Sequence, residues 1–347
     1  MNDLKGRRIV LIGGAGFIGH NLALSLKEEG AIVHIIDSLQ VNNLLWIASS
    51  DSDLPERDLY LRVINQRLDM IRQAGISLLT QDARDYQAMW RLLDQIQPEV
   101  VVHLAAVSHA SRSNKDPYST FDHSLRTLEN ALDSVKNSKA HFIFLSSSMV
   151  YGHFLSEEID EGHPLEPIGI YGALKVAGEK IVIAYQQVFG LPYTIIRPSA
   201  LYGPRCISRR VGQLFLESAL SGCELQVDGD GSERLDFTYV DDLVEGIKLV
   251  IRNPASRSQI FNMTYGQSRS INDLVSIVRR HFPGVPVKYV ERDRLMPFRG
   301  TLSVKKAKDL LGYAPSNPVE TGFPKYIQWY RDLDPSGKLW MDIKVSG

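Results

Sequence analysis

Tyr171 and Lys175 are four residues apart in the segment Tyr171-Gly-Ala-Leu-Lys175. If this segment is helical, the two side chains lie on one face, one turn apart. An ammonium held near a phenol favours the phenolate and lowers the phenol pKa from its ordinary value of about 10. Ser147 follows a short apolar strand and can bring a hydroxyl to the same place. The three residues predict a catalytic site for proton transfer to and from an alcohol, although tyrosine and lysine at this spacing also occur together by chance.

A glycine-rich turn lies between an apolar strand at residues 9–12 and an amphipathic helix that runs to about Glu29. In the spacing of Gly13, Gly16 and Gly19, the first glycine allows a tight turn, the second admits a pyrophosphate and the third lets helix and strand pack closely. The helix N-terminus then favours the phosphate charge. The turn predicts a dinucleotide site.

Asp37 ends the second predicted strand, residues 32–36. An acid at this point accepts hydrogen bonds from both ribose hydroxyls and repels a 2′-phosphate, so it favours NAD over NADP. The alternative is that Asp37 simply caps the strand.

Strands and helices alternate through most of the chain, which is typical of a parallel sheet with helices on both faces. The predicted strands cover residues 9–12, 32–36, 76–79, 100–104, 141–145, 193–197 and about 237–240, and residues 259–263 return to the sheet. The predicted fold is α/β, a Rossmann-type doubly wound parallel sheet with a smaller C-terminal α/β substrate lobe. We expect the NAD-binding domain over residues 1–203 plus about 236–265, and the lobe over about 204–235 plus 266–347.

Two segments stand outside this alternation. Residues 56–74 have helical periodicity, and their apolar stripe indicates core packing, a lid or an oligomer contact; the stripe consists of Leu61, Ile64, Leu68 and Ile71. Residues 108–117 form a predicted polar loop beyond the carboxyl end of a strand, where such sheets bind substrates. Its candidate substrate contacts, for which ordinary solvation is the alternative, are His109, Ser111, Arg112 and Ser113.

The bulk composition excludes several classes of partner. The 347 residues carry a formal net charge of -1, so nothing favours nucleic acid or an anionic membrane. Cys206 and Cys223 fit neither a disulfide framework nor a metal site. The N-terminus lacks the plan of a signal peptide, and no run reaches the ~20 apolar residues of a membrane span. We expect a cytoplasmic protein without a metal.

Nine ordered motifs support a family resemblance. In chain order they are Gly13-Gly-Ala-Gly16-Phe-Ile-Gly19, Asp37, Asp82-Ala-Arg-Asp85, His103-Leu-Ala-Ala106, Ser147-Ser-Met-Val-Tyr-Gly152, Tyr171-x-x-x-Lys175, Arg197-Pro, Tyr202-Gly-Pro204 and Tyr239-Val-Asp-Asp242. From Gly13 to about Trp329 the chain resembles the NAD-dependent epimerase/dehydratase family, the extended short-chain dehydrogenase/reductases that modify nucleotide sugars.

The resemblance implies roles for individual residues. Tyr171 would be the acid/base, Ser147 the catalytic hydroxyl, Lys175 the ligand of the nicotinamide ribose and Asp82 that of the adenine. The residues predicted to contact NAD are Gly13, Gly16, Phe17, Ile18, Gly19, Asp37, Asp82, Ala83, Leu104, Ala105, Ala106, Tyr171, Lys175 and Arg197.

Met149 narrows the predicted reaction. Family dehydratases carry an acid two positions after the catalytic Ser/Thr, and a thioether cannot move protons. We therefore expect an epimerase that acts through a keto-sugar. The alternatives are a 4,6-dehydratase or decarboxylase, in which Glu157, Glu158 or His153 supplies the acid, another keto-sugar oxidation or reduction, and a non-catalytic NAD-binding regulator.

The residues expected to bind the diphosphate of a nucleotide sugar depart from the family pattern. The family often has Asn where this chain has Ala200, and it usually has Arg where Leu235 stands, one residue after Arg234. A one-residue move along a strand turns a side chain to the other face, so other arginines are needed for the diphosphate. The predicted substrate contacts are His109, Ser111, Arg112, Ser148, Met149, Arg205, Arg209, Arg210, Arg234 and Arg299.

The resemblance also implies a homodimer. Relatives commonly pair through the helices that correspond here to about 119–136 and 171–189. The alternative is that both helices only cover the sheet.

Overall fold

The computed structural model describes residues 3–40, 44–48, 56–107 and 110–341. The strands are β1 Arg8–Ile12, β2 Ile32–Asp37, β3 Ser77–Thr80, β4 Val100–His103, β5 His141–Leu145, β6 Glu158–Ile159, β7 Tyr193–Arg197, β8 Leu201–Tyr202, β9 Leu225–Asp228, β10 Arg234–Leu235, β11 Thr238–Tyr239, β12 Gln259–Asn262, β13 Arg269–Ser270, β14 Val287–Val290 and β15 Thr301–Leu302. The α-helices are α1 Phe17–Glu28, α2 Leu44–Ala48, α3 Arg57–Gln73, α4 Tyr86–Ile96, α5 Ala110–Lys115, α6 Pro117–Phe121, α7 Thr127–Val135, α8 Gly169–Phe189, α9 Val211–Leu220, α10 Val240–Arg252, α11 Ile271–His281, α12 Lys305–Leu311, α13 Val319–Leu333 and α14 Lys338–Met341. A π-helical turn, Asp122–Arg126, joins α6 to α7, and 3-10 turns cover Ser148–Val150 and Pro254–Ser256.

Seven parallel strands form the central sheet in the order β12-β7-β5-β4-β1-β2-β3. The chain runs outward from β1 through β2 to β3 and then returns to β4 on the other side of β1. The crevice at such a reversal is where open α/β sheets bind ligands. The predicted Rossmann-type fold is confirmed.

Helices cover both faces of this sheet because its inner strands are apolar on both sides. Along β1, Ile9 and Leu11 pack in one core with α1 and α10, whereas Val10 and Ile12 pack in another with α4 and α7. Alternate strand residues point to opposite faces, so a continuous apolar run needs a cover on each.

A further core lies beyond the sheet, between α9, α11 and α13. Helix α3 reaches it: Ile64 is buried there, whereas Ile71 is buried in the core beside α1. Leu61 and Leu68 pack partly buried against the same core. The apolar stripe of α3 therefore packs in the core, which was one of its three predicted roles beside a lid and an oligomer contact. The division of the chain into two domains stays a prediction.

The structure corrects two sequence predictions. Residues 237–240 do not join the central sheet: β11 pairs with β8 alone, and α10 begins at Val240. The seventh strand of the sheet is instead β12, beside β7. The predicted polar loop of 108–117 contains helix α5, after which the Asp116 carboxylate accepts the Ser119 N–H at 3.0 Å and caps α6. Propensity over so short a polar segment does not reveal a helix that packs against α8.

No helix within the described part of the chain has the length and apolar character to cross a bilayer.

Candidate active site

Ser147, Tyr171 and Lys175 meet at the carboxyl end of β5. Ser147 caps the 3-10 turn that follows this strand, and its Oγ accepts the Met149 N–H at 3.2 Å. Tyr171 and Lys175 belong to the first two turns of α8, and both are buried. Ser147 lies close enough to Tyr171 to lower the pKa of the phenol through hydrogen bonding. The structure thus brings together the three residues that the sequence singled out.

The electrostatics of this cluster differ from the sequence expectation. Burial raises the pKa of Tyr171, and it is the charge of Arg210 and the hydrogen bond from Ser147 that act in the opposite direction. Lys175 Nζ donates to the Leu145 carbonyl at 2.5 Å and lies 5.9 Å from the centre of the Tyr171 ring. Burial lowers the pKa of Lys175 to about 8. Desolvation is therefore the main influence on the pKa of both side chains.

In the glycine turn, Gly13 and Gly19 are required by the fold itself, whereas Gly16 is not. Gly13 has φ 78°, and a Cβ there would lie 2.7 Å from the Ala105 nitrogen. A Cβ on Gly19 would lie 2.4 Å from the Gly14 carbonyl oxygen. A Cβ on Gly16 would meet nothing closer than 3.4 Å, so the chain itself does not need a glycine there. Gly16 keeps open the space into which a phosphate fits, as the predicted dinucleotide site requires.

The other predicted NAD contacts surround this opening. The Asp37 carboxylate accepts the N–H groups of Ala15 and Leu39, at 2.9 and 2.7 Å, and burial raises its pKa. These two bonds use one lone pair on each oxygen, so the carboxylate can still accept from ribose hydroxyls. The half-buried predicted contacts at the ends of β1 and β4 are Phe17, Ile18, Leu104, Ala105 and Ala106.

Asp82 and Ala83 follow β3. Asp82 forms an ion pair with Arg84 at 2.6 Å, and the hydrogen bonds from this arginine lower the pKa of Asp82. Ala83 is buried and offers its carbonyl to Asn130 at 2.9 Å. These residues fit the edge of a cofactor site, and their contact with an adenine stays a prediction.

The guanidinium of Arg197, a predicted cofactor contact, is held within the protein, and its contact with a cofactor stays a prediction. Its guanidinium is buried and bonds both carboxylate oxygens of Glu179, at 2.9 and 2.6 Å, and the Tyr151 hydroxyl at 2.9 Å. Glu179 also accepts from the Ser146 hydroxyl at 2.5 Å. A charge at the end of an otherwise apolar strand requires such a partner. The spacing of Tyr171, Lys175 and Glu179, each one helical turn apart, is the signal that points to Glu179.

Arg205 connects the glycine turn to the rest of the molecule. Its Nε donates to His20 Nε2 at 2.8 Å, and its Nη2 donates to the Asn21 side chain at 3.0 Å. The other ring nitrogen of His20 bonds the Gly16 carbonyl at 2.9 Å, and burial holds the pKa of His20 well below its usual range. Arg67 of α3 donates in turn to the Arg205 carbonyl at 3.0 Å. Arg205 thus helps to fix the turn, a role that the sequence analysis missed.

Two of the predicted diphosphate arginines are bound elsewhere. Arg209 pairs with Glu56 at 2.8 Å and bonds Tyr60 at 3.1 Å. Arg234 is exposed and bonds the side chain and carbonyl of Ser268, at 3.0 and 2.7 Å. The contacts of both arginines with a diphosphate stay predictions.

Arg210 and Arg299 lie near the catalytic cluster. Arg210 is close enough for its charge to lower the pKa of both Tyr171 and Arg299. Arg299 Nη1 contacts Met149 Sδ at 3.8 Å. Ser148 and Met149, both buried, complete this side of the site.

The structure does not describe the side chains of three predicted substrate contacts in the polar segment of residues 108–117. His109 lies outside the described residues, and so do the side chains of Ser111 and Arg112, although both belong to α5. Ser113 is buried.

His103 begins the motif His103-Leu-Ala-Ala106 and ends strand β4, within the predicted strand of residues 100–104. It lies buried at the end of β4 beside the rings of Phe142 and Phe144, at 6.2 and 6.0 Å. Neither ring nitrogen has a hydrogen-bond partner among the described side chains and backbone. Burial lowers the pKa of His103 to about 3, so the ring is neutral and adds no charge to the site.

Comparisons with known proteins agree with this geometry. The sequence model of the NAD-dependent epimerase/dehydratase family matches residues 9–264. A Bacillus subtilis protein described as an uncharacterized UDP-glucose epimerase is 28% identical over 333 residues, which cover 94% of this chain and 98% of that protein. The dTDP-glucose 4,6-dehydratase of Xanthomonas campestris is 28% identical over 345 residues, which cover 92% of each chain.

A solved structure extends the likeness to three dimensions. The UDP-glucose 4-epimerase of Thermotoga maritima, determined with UDP-glucose, has a TM-score of 0.80 and is 26% identical, with 94% of this chain and 99% of that one covered. The family match spans most of the chain, and the glycine turn leaves room for the cofactor that the family uses. This protein belongs to the NAD-dependent epimerase/dehydratase family.

Proposed function

We propose that this protein is a nucleotide-sugar epimerase that acts through a transient keto-sugar. The observation that carries the proposal is the meeting of Ser147, Tyr171 and Lys175 at the sheet edge that also holds the glycine turn. Bound NAD would supply a hydride acceptor that later returns the hydride. It would be held by Gly16, Asp37 and Lys175.

In the first half of the reaction, Tyr171 as phenolate takes the proton of a sugar hydroxyl. Ser147 donates a hydrogen bond to that oxygen as it becomes a keto oxygen. Proton transfer of this kind is worth about 10²–10⁴-fold in rate. Arg210 and Ser147 favour the phenolate against the effect of burial.

In the second half, the keto-sugar is reduced on its opposite face and Tyr171 returns the proton to the oxygen. The reaction therefore inverts one carbon without net oxidation. Lys175 is anchored on the Leu145 carbonyl at 2.5 Å, with its Nζ 5.9 Å from the centre of the Tyr171 ring.

Met149 argues against elimination. Removal of water after oxidation needs a second proton carrier, and the buried thioether beside Ser147 cannot be one. The other candidate acids, Glu157, Glu158 and His153, are all exposed. His153 Nδ1 moreover accepts the Phe298 N–H at 3.0 Å.

A panel of nucleotide sugars tests the proposal. The protein is incubated with UDP-, GDP-, CDP- and dTDP-sugars, and the products are followed by NMR and mass spectrometry. Inversion of one carbon without a mass change is expected. Loss of water or carbon dioxide would support a dehydratase or decarboxylase instead, and bound NAD without any conversion would support a regulator.

A further inference from the structure

Glu179 lies on the same face of α8 as Tyr171 and Lys175, one turn farther along the helix. Its side chain is 1% exposed. Oε1 accepts from the Ser146 hydroxyl at 2.5 Å and from Arg197 Nε at 2.9 Å, while Oε2 accepts from Arg197 Nη2 at 2.6 Å. A buried charge needs such partners, so the ion pair with Arg197 explains why the carboxylate is tolerated but not why it also bonds Ser146.

The catalytic face of α8 contacts three successive residues at the end of β5. Lys175 Nζ donates to the Leu145 carbonyl at 2.5 Å, and the Glu179 carboxylate accepts from the Ser146 hydroxyl. Ser147, next in the chain, lies within hydrogen-bonding influence of the acid/base phenol. The strand end is therefore held against the helix immediately before Ser147, so a loss of these contacts should shift the Ser147 hydroxyl.

Glu179 also fixes β5 against β7. The Ser146 N–H donates to the backbone carbonyl before Arg197 at 2.8 Å, and the Ser148 N–H donates to the carbonyl after it at 2.9 Å. Ser146 and Arg197 are thus neighbours at the ends of two adjacent strands. Because one carboxylate bonds both side chains, it sets the position of the two strand ends beneath α8.

Titratable side chains on α8, β4 and β7 lie around Lys175. Burial lowers the pKa of Lys175 to about 8, and the charge of Glu179 acts against burial. His103 on β4 is neutral, because burial lowers its pKa to about 3. Arg197 on β7 is paired with Glu179 itself, and burial raises the pKa of Tyr171. Glu179 therefore supplies an anion that favours the charged form of Lys175.

We propose that Glu179 is a positioning residue for the reaction, which holds Ser147 in place through Ser146 and keeps an anion one turn from Lys175. This proposal rests on the epimerase function and adds a fourth residue to its machinery. In this role Glu179 touches neither substrate nor cofactor. It acts on the reacting oxygen through Ser147 and on the acid/base through the charge of Lys175.

Glu179→Gln and Glu179→Asp separate the charge of this side chain from its shape. The values of kcat and KM are measured between pH 6 and pH 10 with a nucleotide sugar that the wild type converts. Glu179→Gln should lower kcat about 10- to 100-fold with little change of KM, because Ser147 is displaced from the reacting oxygen.

The pH profile reports the effect on Lys175. Activity should fall as the pH rises through the pKa of Lys175, because the charged form is then lost. Loss of the Glu179 charge lowers this pKa, so the alkaline limb of the Glu179→Gln profile should move to lower pH by about 0.5–1 unit. Glu179→Asp keeps the charge and should leave the limb near its wild-type position. Lys180→Gln, at the next and exposed residue of α8, is the matched control and should behave as the wild type.

A double variant distinguishes this role from a purely structural one. Glu179→Leu with Arg197→Leu removes both charges of the buried pair, so the fold should be retained. If the pair were only structural, this variant would also regain the kcat and the pH profile of the wild type. We expect instead that stability recovers while kcat stays low and the alkaline limb stays shifted.

A thermodynamic cycle tests the coupling to Lys175 without turnover. The stability gained by Lys175→Met at pH 7 is measured by urea denaturation in the wild type and in Glu179→Gln. The gain should be larger in the Glu179→Gln background, because the lysine charge there has lost the anion that offsets its burial. If Glu179→Gln does not fold, the double leucine variant provides the second background.

Two results overturn the inference. One is a wild-type kcat and pH profile in folded Glu179→Gln or in the double leucine variant, and the other is an equal gain from Lys175→Met in both backgrounds. If the wild type converts no nucleotide sugar, the epimerase function fails, and the cycle alone decides whether Glu179 acts on Lys175.

Discussion

Lys175 and Tyr171 lie one turn apart on α8, with Lys175 Nζ 5.9 Å from the centre of the Tyr171 ring. The ammonium faces the ring while its hydrogen bond goes to the Leu145 carbonyl. This arrangement leaves the Tyr171 hydroxyl to Ser147 and to a substrate.

Tyr171→Phe should lower kcat about 10²–10⁴-fold, because the variant has no group that accepts the sugar proton. NAD binding, followed by fluorescence titration, should change little, since the ring remains. Tyr185→Phe, farther along α8, is the control and should keep full activity. Wild-type turnover by Tyr171→Phe would exclude Tyr171 as the acid/base.

Lys175→Met should stabilise the fold at neutral pH while it abolishes activity. Burial lowers the pKa of Lys175 to about 8 from the ordinary 10.5. The unfolded chain therefore binds the lysine proton more tightly than the native state does. Below about pH 8, where Lys175 is charged in both states, its burial lowers the free energy of unfolding by up to about 3 kcal/mol. This penalty fades as the pH rises towards 10.5.

Urea denaturation of the wild type and of Lys175→Met at pH 7 and pH 10 measures this effect. The variant should gain stability at pH 7, and the gain should shrink at pH 10. The exposed Lys180→Met serves as control and should change stability little at either pH. A loss of stability in Lys175→Met at pH 7 would mean that the Leu145 contact outweighs the cost of burial.

Gly13→Ala should lower the stability of the fold, whereas Gly16→Ala should lower the affinity for NAD. Alanine at position 13 meets the Ala105 backbone at 2.7 Å in a left-handed conformation, so the free energy of unfolding should fall. Alanine at position 16 meets nothing closer than 3.4 Å, so the fold should keep its stability. NAD affinity should nevertheless fall about tenfold or more, because the methyl group occupies space for the phosphate.

Thermal unfolding and calorimetric NAD titration of both variants provide the measurement. Unchanged NAD affinity in Gly16→Ala would contradict the assigned phosphate position.

Glu179→Leu should destabilise the protein by about 3–5 kcal/mol, because it leaves the Arg197 guanidinium buried without its anion. The double variant with Arg197→Leu should recover much of this loss. Chemical denaturation of the single and double variants forms the cycle. Independent, additive losses would show that the pair is not coupled.

Val188→Glu should convert a dimer into a monomer if α7 and α8 form the subunit interface. Val188 is 71% exposed, and Phe189 beside it is also exposed. Large apolar side chains exposed together on one surface are typical of an interaction site. Light scattering at micromolar concentration should give a dimer for the wild type and for Leu310→Glu, an exposed site on α12. A monomeric wild type would refute the interface.

The sequence by itself determined the features that arise from local spacing. The glycine turn, the strand and helix alternation and the Tyr171–Lys175 turn all follow from backbone geometry within a few residues. The order of the motifs then located the site at the edge of a parallel sheet. Residues 237–240 were misassigned because a short apolar run does not reveal which strand it pairs with.

Only the tertiary structure decided the partners of the charged side chains. Glu179 forms a buried ion pair with Arg197, and the raised pKa of Tyr171 depends on burial that no spacing encodes. The contact of Arg299 with Met149 joins residues 150 positions apart in the chain. Such contacts depend on the packing of whole elements, because burial and charge act through space and not along the sequence.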